Sequence, residues 1–331
     1  MKNQEFAGIA VEERLSSVNY VIRAMMETCE HLSGASLVPR DPGDGGYVVS
    51  PAYLGTERGG NGYRRYYPRF RWLDAVVGVD SSVYPLAESS DGFVFAICGA
   101  IVVERGGVVD VRRVGPIIFY ASPRSIASLA RALGIEIPNP ARYVRDVGRA
   151  RKLAISIFEA GLLLDAVKLG ETVLLDGSLE RMPSQAWDGI RQAAGVSKRS
   201  QLFKQHPDAL AEVVRSPIPV VVHVGFRRGL SVYLGKFGRH GVPLRLDVPV
   251  EADCEAVFDG ILANVHDGTG YPNVLREAHI ASKILKSEVL GMMARLMAMG
   301  ARIAPSVRLR DLLFGPFNRP PSEWVTPGAG V

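Results

Sequence analysis

Along the first part of the chain, Ile9, Val11, Leu15, Val18, Val21, Ile22 and Met25 recur at spacings that put them on roughly one face of a helix. The spacing predicts a long amphipathic helix from Ile9 to Leu32, ending near Gly34. Residues 39–62 are rich in Pro, Gly and Asp, which favour turns over repeating structure, and predict an extended loop or insertion. From Leu73 the pattern changes. LDAVVGVDSS is a short apolar run broken by an acid, and GFVFAICGAIVVE and VVDVRRVGPIIFY flank a turn at residues 104–107. Together they predict a three-stranded meander. A helix is expected over residues 142–169, where Val147, Ala150, Leu153, Ala154, Ile157, Ala160 and Gly161 keep its period. ETVLLDGSL then predicts a strand, so that strand, helix and strand follow one another and part of the sheet is parallel. A helix over residues 184–194, a hairpin of IPVVVHVGF and LSVYLGKF about residues 227–229, a strand in PLRLDVPV and a long helix over residues 275–299 complete the reading. Prolines and glycines make the tail beyond Leu313 irregular. The class is α/β, and the chain divides into an N-terminal helix and basic, aromatic insertion (1–72), a central domain (73–313) and a tail (314–331).

With 47% hydrophobic residues in 331, the chain can bury a large core, which excludes wholesale disorder. No apolar run is long enough to span a bilayer, and the N-terminus is acidic where a secretion signal is basic and then apolar, so a cytoplasmic protein is expected. Cys29, Cys98 and Cys254 are far apart and form no CxxC pair, which argues against disulfides or a zinc knuckle. A formal net charge of +5 favours a polyanionic partner, because Lys and Arg release counterions condensed on phosphates.

Asp80 and Asp176 stand at the ends of predicted buried strands. A carboxylate among Val and Leu is costly to desolvate, and a divalent cation is a partner that several such acids share; alternatively each aspartate caps the turn after its strand. Glu159 lies in a nearly uncharged stretch of the predicted helix, as a third ligand or one half of an ion pair. In GYPNVLREAH, Tyr271 precedes a helix start and His279 lies eight residues on, a little over two turns, so both side chains can reach one edge of a site. Histidine binds metal or carries protons, and tyrosine offers a hydroxyl to phosphate; alternatively, His279 is a plain surface or core residue of the helix. Lys198 in GVSKRS either reaches a phosphate or stays in solvent. In GYRRYYPRFRW, Arg64, Arg65 and Arg69 alternate with aromatics including Tyr66 and Tyr67. Arginines on phosphates and rings on unpaired bases suit single-stranded nucleic acid; the same pattern also suits a sheet-edge strand with inward aromatics.

Taken in order, VGVDSSVYP, Glu159, LLDGSL, GVSKRS and GYPNVLREAH resemble the NurA family of DNA-end-processing nucleases over about residues 76–283. Glu159 precedes Asp176 by seventeen residues, and the Tyr-Pro is followed by a histidine eight beyond the tyrosine. The resemblance implies a ribonuclease H-like mixed sheet flanked by helices, with N- and C-terminal helical extensions, in a homodimer. It implies Mn2+ as the metal, with Mg2+ a poorer substitute, and Asp80, Glu159, Asp176 and His279 as ligands or groups beside them. Tyr271 would stand at the scissile phosphate, with Lys198 nearby. The implied activity is 5'-3' exonuclease and single-strand endonuclease cleavage of single-stranded DNA and double-stranded DNA ends, in double-strand break resection with a HerA-type hexameric ATPase. Phe314, Phe317 and Trp324 are candidates for that docking surface. The first motif departs from the family by reading Asp-Ser-Ser in place of Asp-Gly-Ser. Two rival classes are an actin-like ATP-binding phosphotransferase, which the chain serves poorly because it lacks a second glycine-rich phosphate loop, and a non-catalytic DNA-binding adaptor.

Overall fold

A computed structural model of the chain describes residues 17–39, 63–70, 75–170, 172–183, 190, 193–266 and 269–303. The meander forms as expected: β3 (Val76–Ser89), β4 (Gly92–Arg105) and β5 (Val108–Ala121) pair antiparallel in turn, the second turn made by Gly106 and Gly107 at positive φ. Beside β3, β6 (Thr172–Asp176) and then β7 (Ala193–Ser197) pair parallel. The strand order β5-β4-β3-β6-β7, with β4 running against its neighbours, is the ribonuclease H-like mixed sheet. Beyond β7 the sheet continues antiparallel through β10 (Leu244–Pro249), β9 (Leu230–Lys236) and β8 (Val220–Arg227) to a two-residue edge strand, β2 (Arg65–Tyr66). Further along the same edge of β3, past the point where β6 ends, β1 (Ser36–Pro39) pairs with Ala87 and Glu88, and β11 (Arg302–Ile303) pairs with β1.

Successive side chains on a strand point to opposite faces, and each face of this sheet has its own apolar cover. Val77, Val79, Ile101 and Leu175 pack on one face against Ile157, Phe158 and Leu162 of α3 (Val147–Ala166), with α1 (Val18–Glu27) behind. Val76, Val102, Leu174 and Val196 on the other face meet Phe258 of α6 (Cys254–Ala263) and Val274, Leu275 and Ala278 of α7 (Asn273–Ala281). A third cluster joins Leu37, Leu86 and Tyr120 to Met292, Met293 and Leu296 of α8 (Lys286–Ala298). At about 25 cal/mol per Å2 of apolar surface, each fully buried Leu or Phe contributes about 1.5–3 kcal/mol to this sandwich. No helix among the described residues is long and apolar enough to cross a membrane.

Three expectations change. The helix over residues 275–299 is two helices, because the break between α7 and α8 has partners of its own. Arg113 donates to the carbonyls of Ala281 and Lys283 while holding Glu288, and Glu288 accepts from the Leu285 N–H, so open backbone groups at the end of α7 and the start of α8 gain partners. Of the helix expected over 184–194, Ala193 and Ala194 instead open β7, where they pair with Val173 and Leu174 of β6; residues 184–189 and 191–192 lie outside the described residues. Asp80 lies inside a fourteen-residue strand and not at its end, because β4 pairs with β3 on both sides of the acid. The N-terminal helix is seen from Val18, continued by a 3-10 turn over Thr28–Leu32 and ended by Gly34 at φ 76°. The insertion at 40–62 and the tail beyond Leu313 lie outside the described residues.

Candidate metal centre

Asp80 and Asp176 meet because of the parallel register. Val76 to Val79 pair with Thr172 to Leu175, which sets the two aspartates side by side one step further on. There the strands part: β3 runs on, while the chain of β6 turns away at Gly177, whose φ of 149° and closeness to Arg181 favour glycine. Helix α7 brings the third group. A Cβ on Gly78 would stand 2.5 Å from the Val274 carbonyl oxygen, so this glycine lets the helix backbone rest directly on β3. Gly78 to Asp80 advances about 6.7 Å along the strand and Val274 to His279 about 7.5 Å along the helix, nearly equal rises that keep the histidine level with the acid.

His279 Nδ1 lies 2.9 Å from Asp80 Oδ2, and potential ligand atoms of Asp80, Asp176 and His279 all lie within 4.8 Å of one another. Asp80 is buried, Asp176 half-buried and His279 exposed, so the group is open on the histidine side. Ser282 Oγ also donates to Asp80 Oδ2 (3.1 Å) and the Ser81 N–H to Oδ1 (2.8 Å). Burial, and then the charge of Asp176, push the Asp80 carboxyl above its ordinary range, with the His279 and Ser81 hydrogen bonds opposing. Lys198 Nζ stands 3.3 Å from Asp176 Oδ2 and 4.0 Å above the Tyr271 ring, a cation-π contact. The Tyr271 hydroxyl is buried without a hydrogen bond of normal geometry among the described residues, and burial, then Asp176, raise its pKa. Two acids in mutual repulsion, an imidazole and an orphaned hydroxyl fit a hard divalent cation and a bound anion.

Glu159 is placed differently. Buried on α3, it accepts from Ser81 Oγ (2.7 Å) and pairs with Arg181 Nη2 (2.6 Å). Since Ser81 follows Asp80 in the strand, it points to the opposite face, and Glu159 stands behind β3, outside the three-residue group. Burial raises its pKa to about 7, with Arg181 and Ser81 opposing and Asp80 adding to the rise. An acid whose folded pKa is raised gives stability that is fully present below the unfolded pKa, near 4.5, and is lost as pH rises through about 7. Metal-free protein is therefore expected to lose thermal stability between about pH 4.5 and 7, and Glu159→Gln to flatten that slope, as melting across a pH series would reveal.

The basic, aromatic segment lies across the sheet at β2, five strand spacings or about 24 Å from Asp176. Tyr66 packs edge-on against Tyr233 (5.7 Å) and Phe258 (5.5 Å), Arg65 pairs with Glu212, and Arg64 sits 4.9 Å over the Tyr66 ring. The Arg69 N–H donates to Asp259 (2.7 Å), while the Tyr67 ring is exposed. Sequence reasoning missed Ser81, Arg181 and Ser282, whose residue types carry no signal in spacing. It also missed Glu104, whose Oε2 accepts from the side chains of Asn264 and Asn273 (both 3.0 Å) and whose Oε1 meets His266. Asn264 in turn accepts from the Val274 N–H (2.9 Å), so this buried acid fixes the first turn of α7.

No family model matches the chain, and no curated protein matches it. Among solved structures it is similar to the NurA nuclease from Sulfolobus solfataricus, with 13% identity over 71% of this chain and 87% of that one and a TM-score of 0.47. It is also similar to an endonuclease V from Bacillus subtilis (14% identity, 67% and 82% covered, TM-score 0.37). The catalytic domain of human endonuclease V is a further likeness (16% identity, 70% and 91% covered, TM-score 0.35).

Proposed function

We propose that the chain is a metal-dependent deoxyribonuclease of the NurA kind. The observation that carries this reading is the convergence of Asp80, Asp176 and His279 at the fork between β3 and β6, beside Lys198 and Tyr271. Asp80, Asp176 and His279 would hold the metal, with Glu159 acting from behind β3 through Ser81. Bound there, a divalent ion supplies an activated water and neutralises charge on the attacked phosphodiester. Lys198 would pair with a phosphate oxygen, giving up its contact with Asp176. The Tyr271 hydroxyl, buried beside Asp176, would donate to phosphate. Oxygen ligands suit Mg2+ or Mn2+, and the imidazole favours Mn2+.

The finer reading is 5'-3' exonuclease and single-strand endonuclease action in the resection of double-strand breaks, by a cytoplasmic homodimer working with a HerA-type hexameric ATPase. Linear single- and double-stranded DNA is expected to be cut with Mn2+, more slowly with Mg2+, and left intact in EDTA. Intact DNA under all three conditions removes the proposal, and saturable ATP binding in its place would favour the phosphotransferase. Deleting the chain after Leu313 is expected to weaken co-purification with the ATPase; unchanged recovery would free Phe314, Phe317 and Trp324 of any docking role.

A further inference from the structure

The turn that leaves the metal centre is tied down by charges lying away from it. After Asp176, residues Gly177 to Arg181 cross over β7, where a Cβ on Gly195 would stand 2.6 Å from the Gly177 carbonyl oxygen and 2.9 Å from the Leu179 nitrogen. Ser178 Oγ accepts from the Glu180 N–H (3.2 Å) and donates to Asp247 Oδ2 on β10 (2.5 Å). Asp247 is fully buried, and its Oδ1 accepts from Arg245 Nε (2.7 Å). Arg245 and Arg227 both pair with Glu180, at 2.8 and 3.1 Å. The same turn ends in Arg181, the partner of Glu159. Buried ion pairs add little net stability, since their desolvation offsets their attraction, and apolar residues of similar volume often serve a fold as well. What such a network does supply is a single position for the groups it holds.

We infer that Ser178 and Asp247 are positioning residues for the metal centre: they clamp the Asp176–Arg181 turn onto β7 and β10, and so fix both the Asp176 carboxylate and the Arg181–Glu159 pair. The inference rests on the metal-centre reading above. The clamp is built from one short hydrogen bond, one glycine with no room for a side chain, and an arginine pair gripping the turn from the far strands. Its effect on the metal is indirect, passing through the backbone of the turn.

The test uses the full chain and its Ser178→Ala, Ser178→Thr and Asp247→Asn variants, with Mn2+ uptake followed by electron paramagnetic resonance beside thermal melting and cleavage of linear DNA. Ser178→Ala is expected to weaken Mn2+ binding about tenfold, the scale found for groups that orient ligands, with a small change in melting. Ser178→Thr, which keeps the hydroxyl, is expected to restore binding, and Asp247→Asn to weaken it at least as much as Ser178→Ala. Should Asp247→Asn fail to fold, the serine pair still decides. Wild-type uptake of Mn2+ with unchanged affinity in Ser178→Ala overturns the clamp and leaves the metal centre standing. Wild-type protein that takes up no Mn2+ overturns the metal-centre reading, and the clamp with it.

Discussion

Asp176→Ala is expected to leave linear DNA uncut in Mn2+ while folding as well as the parent. The carboxylate stands beside that of Asp80, and its charge helps push the Asp80 pKa up, so its removal relieves a repulsion in the metal-free protein. Lys198 loses its partner, but its side chain is 45% exposed and turns to solvent, at a cost of about 1 kcal/mol or less. Catalysis has no such escape. A bound metal contributes several kcal/mol to stabilising the attacked phosphate, and each 1.36 kcal/mol lost is about tenfold in rate, so cleavage is expected to fall by a factor of about a thousand or more. Rates on linear DNA, with thermal melting beside them, separate the two effects. An Asp176→Ala protein that cuts DNA at the parental rate would end the nuclease proposal.

Gly78→Val is expected to damage the site from a position that carries no chemistry. The new side chain meets the backbone of Val274, with the carbonyl oxygen 2.5 Å from its Cβ, and neither strand nor helix can yield without moving α7. Overpacking of this kind costs about 1–3 kcal/mol of stability. The larger effect falls on Mn2+ affinity and cleavage, because α7 carries His279 and Ser282 follows it, and both contact Asp80. At least a tenfold loss of Mn2+ affinity is expected, as for other disturbances of groups around a metal. Gly291→Ala on α8 is the control: nothing lies within 4 Å of its Cβ, and a gain of about 0.4–1 kcal/mol in stability is expected there. If Gly78→Val kept parental Mn2+ affinity, seating of α7 on β3 would not be what holds the histidine.

Several elements were legible because their signals are local. Long apolar runs and a Gly-Gly turn specify the meander, and nothing distant needs to agree. The helix α2 (Pro123–Leu133) carried such signals too, with Ser122 as N-cap, proline in the first turn and Gly134 as an αL cap, yet it was not anticipated. Other elements were not legible in this way. The break between α7 and α8 is stabilised by Arg113, which lies some 170 residues earlier in the chain, so periodicity reads straight through it. In β7, Ala193, Ala194 and Gly195 have little strand propensity, and pairing with β6 decides their state. Glu159 was readable as buried from its uncharged surroundings; that Ser81 and Arg181 hold it behind the strand was not.

For the pair of aspartates the division is the same. By itself the sequence determined the donors: two acids beside apolar strand segments, a glutamate in an apolar helix, and a tyrosine and histidine about two turns apart. Their residue types set which metals they suit. Only the tertiary structure decided which of them meet. The parallel register of β3 and β6 aligns Asp80 with Asp176, Gly78 lets α7 deliver His279, and the pleat sends Ser81 and Glu159 to the other face. The physical reason is range: side-chain chemistry and turn preference belong to a few neighbouring residues, whereas register and face are set by packing between segments far apart in the chain.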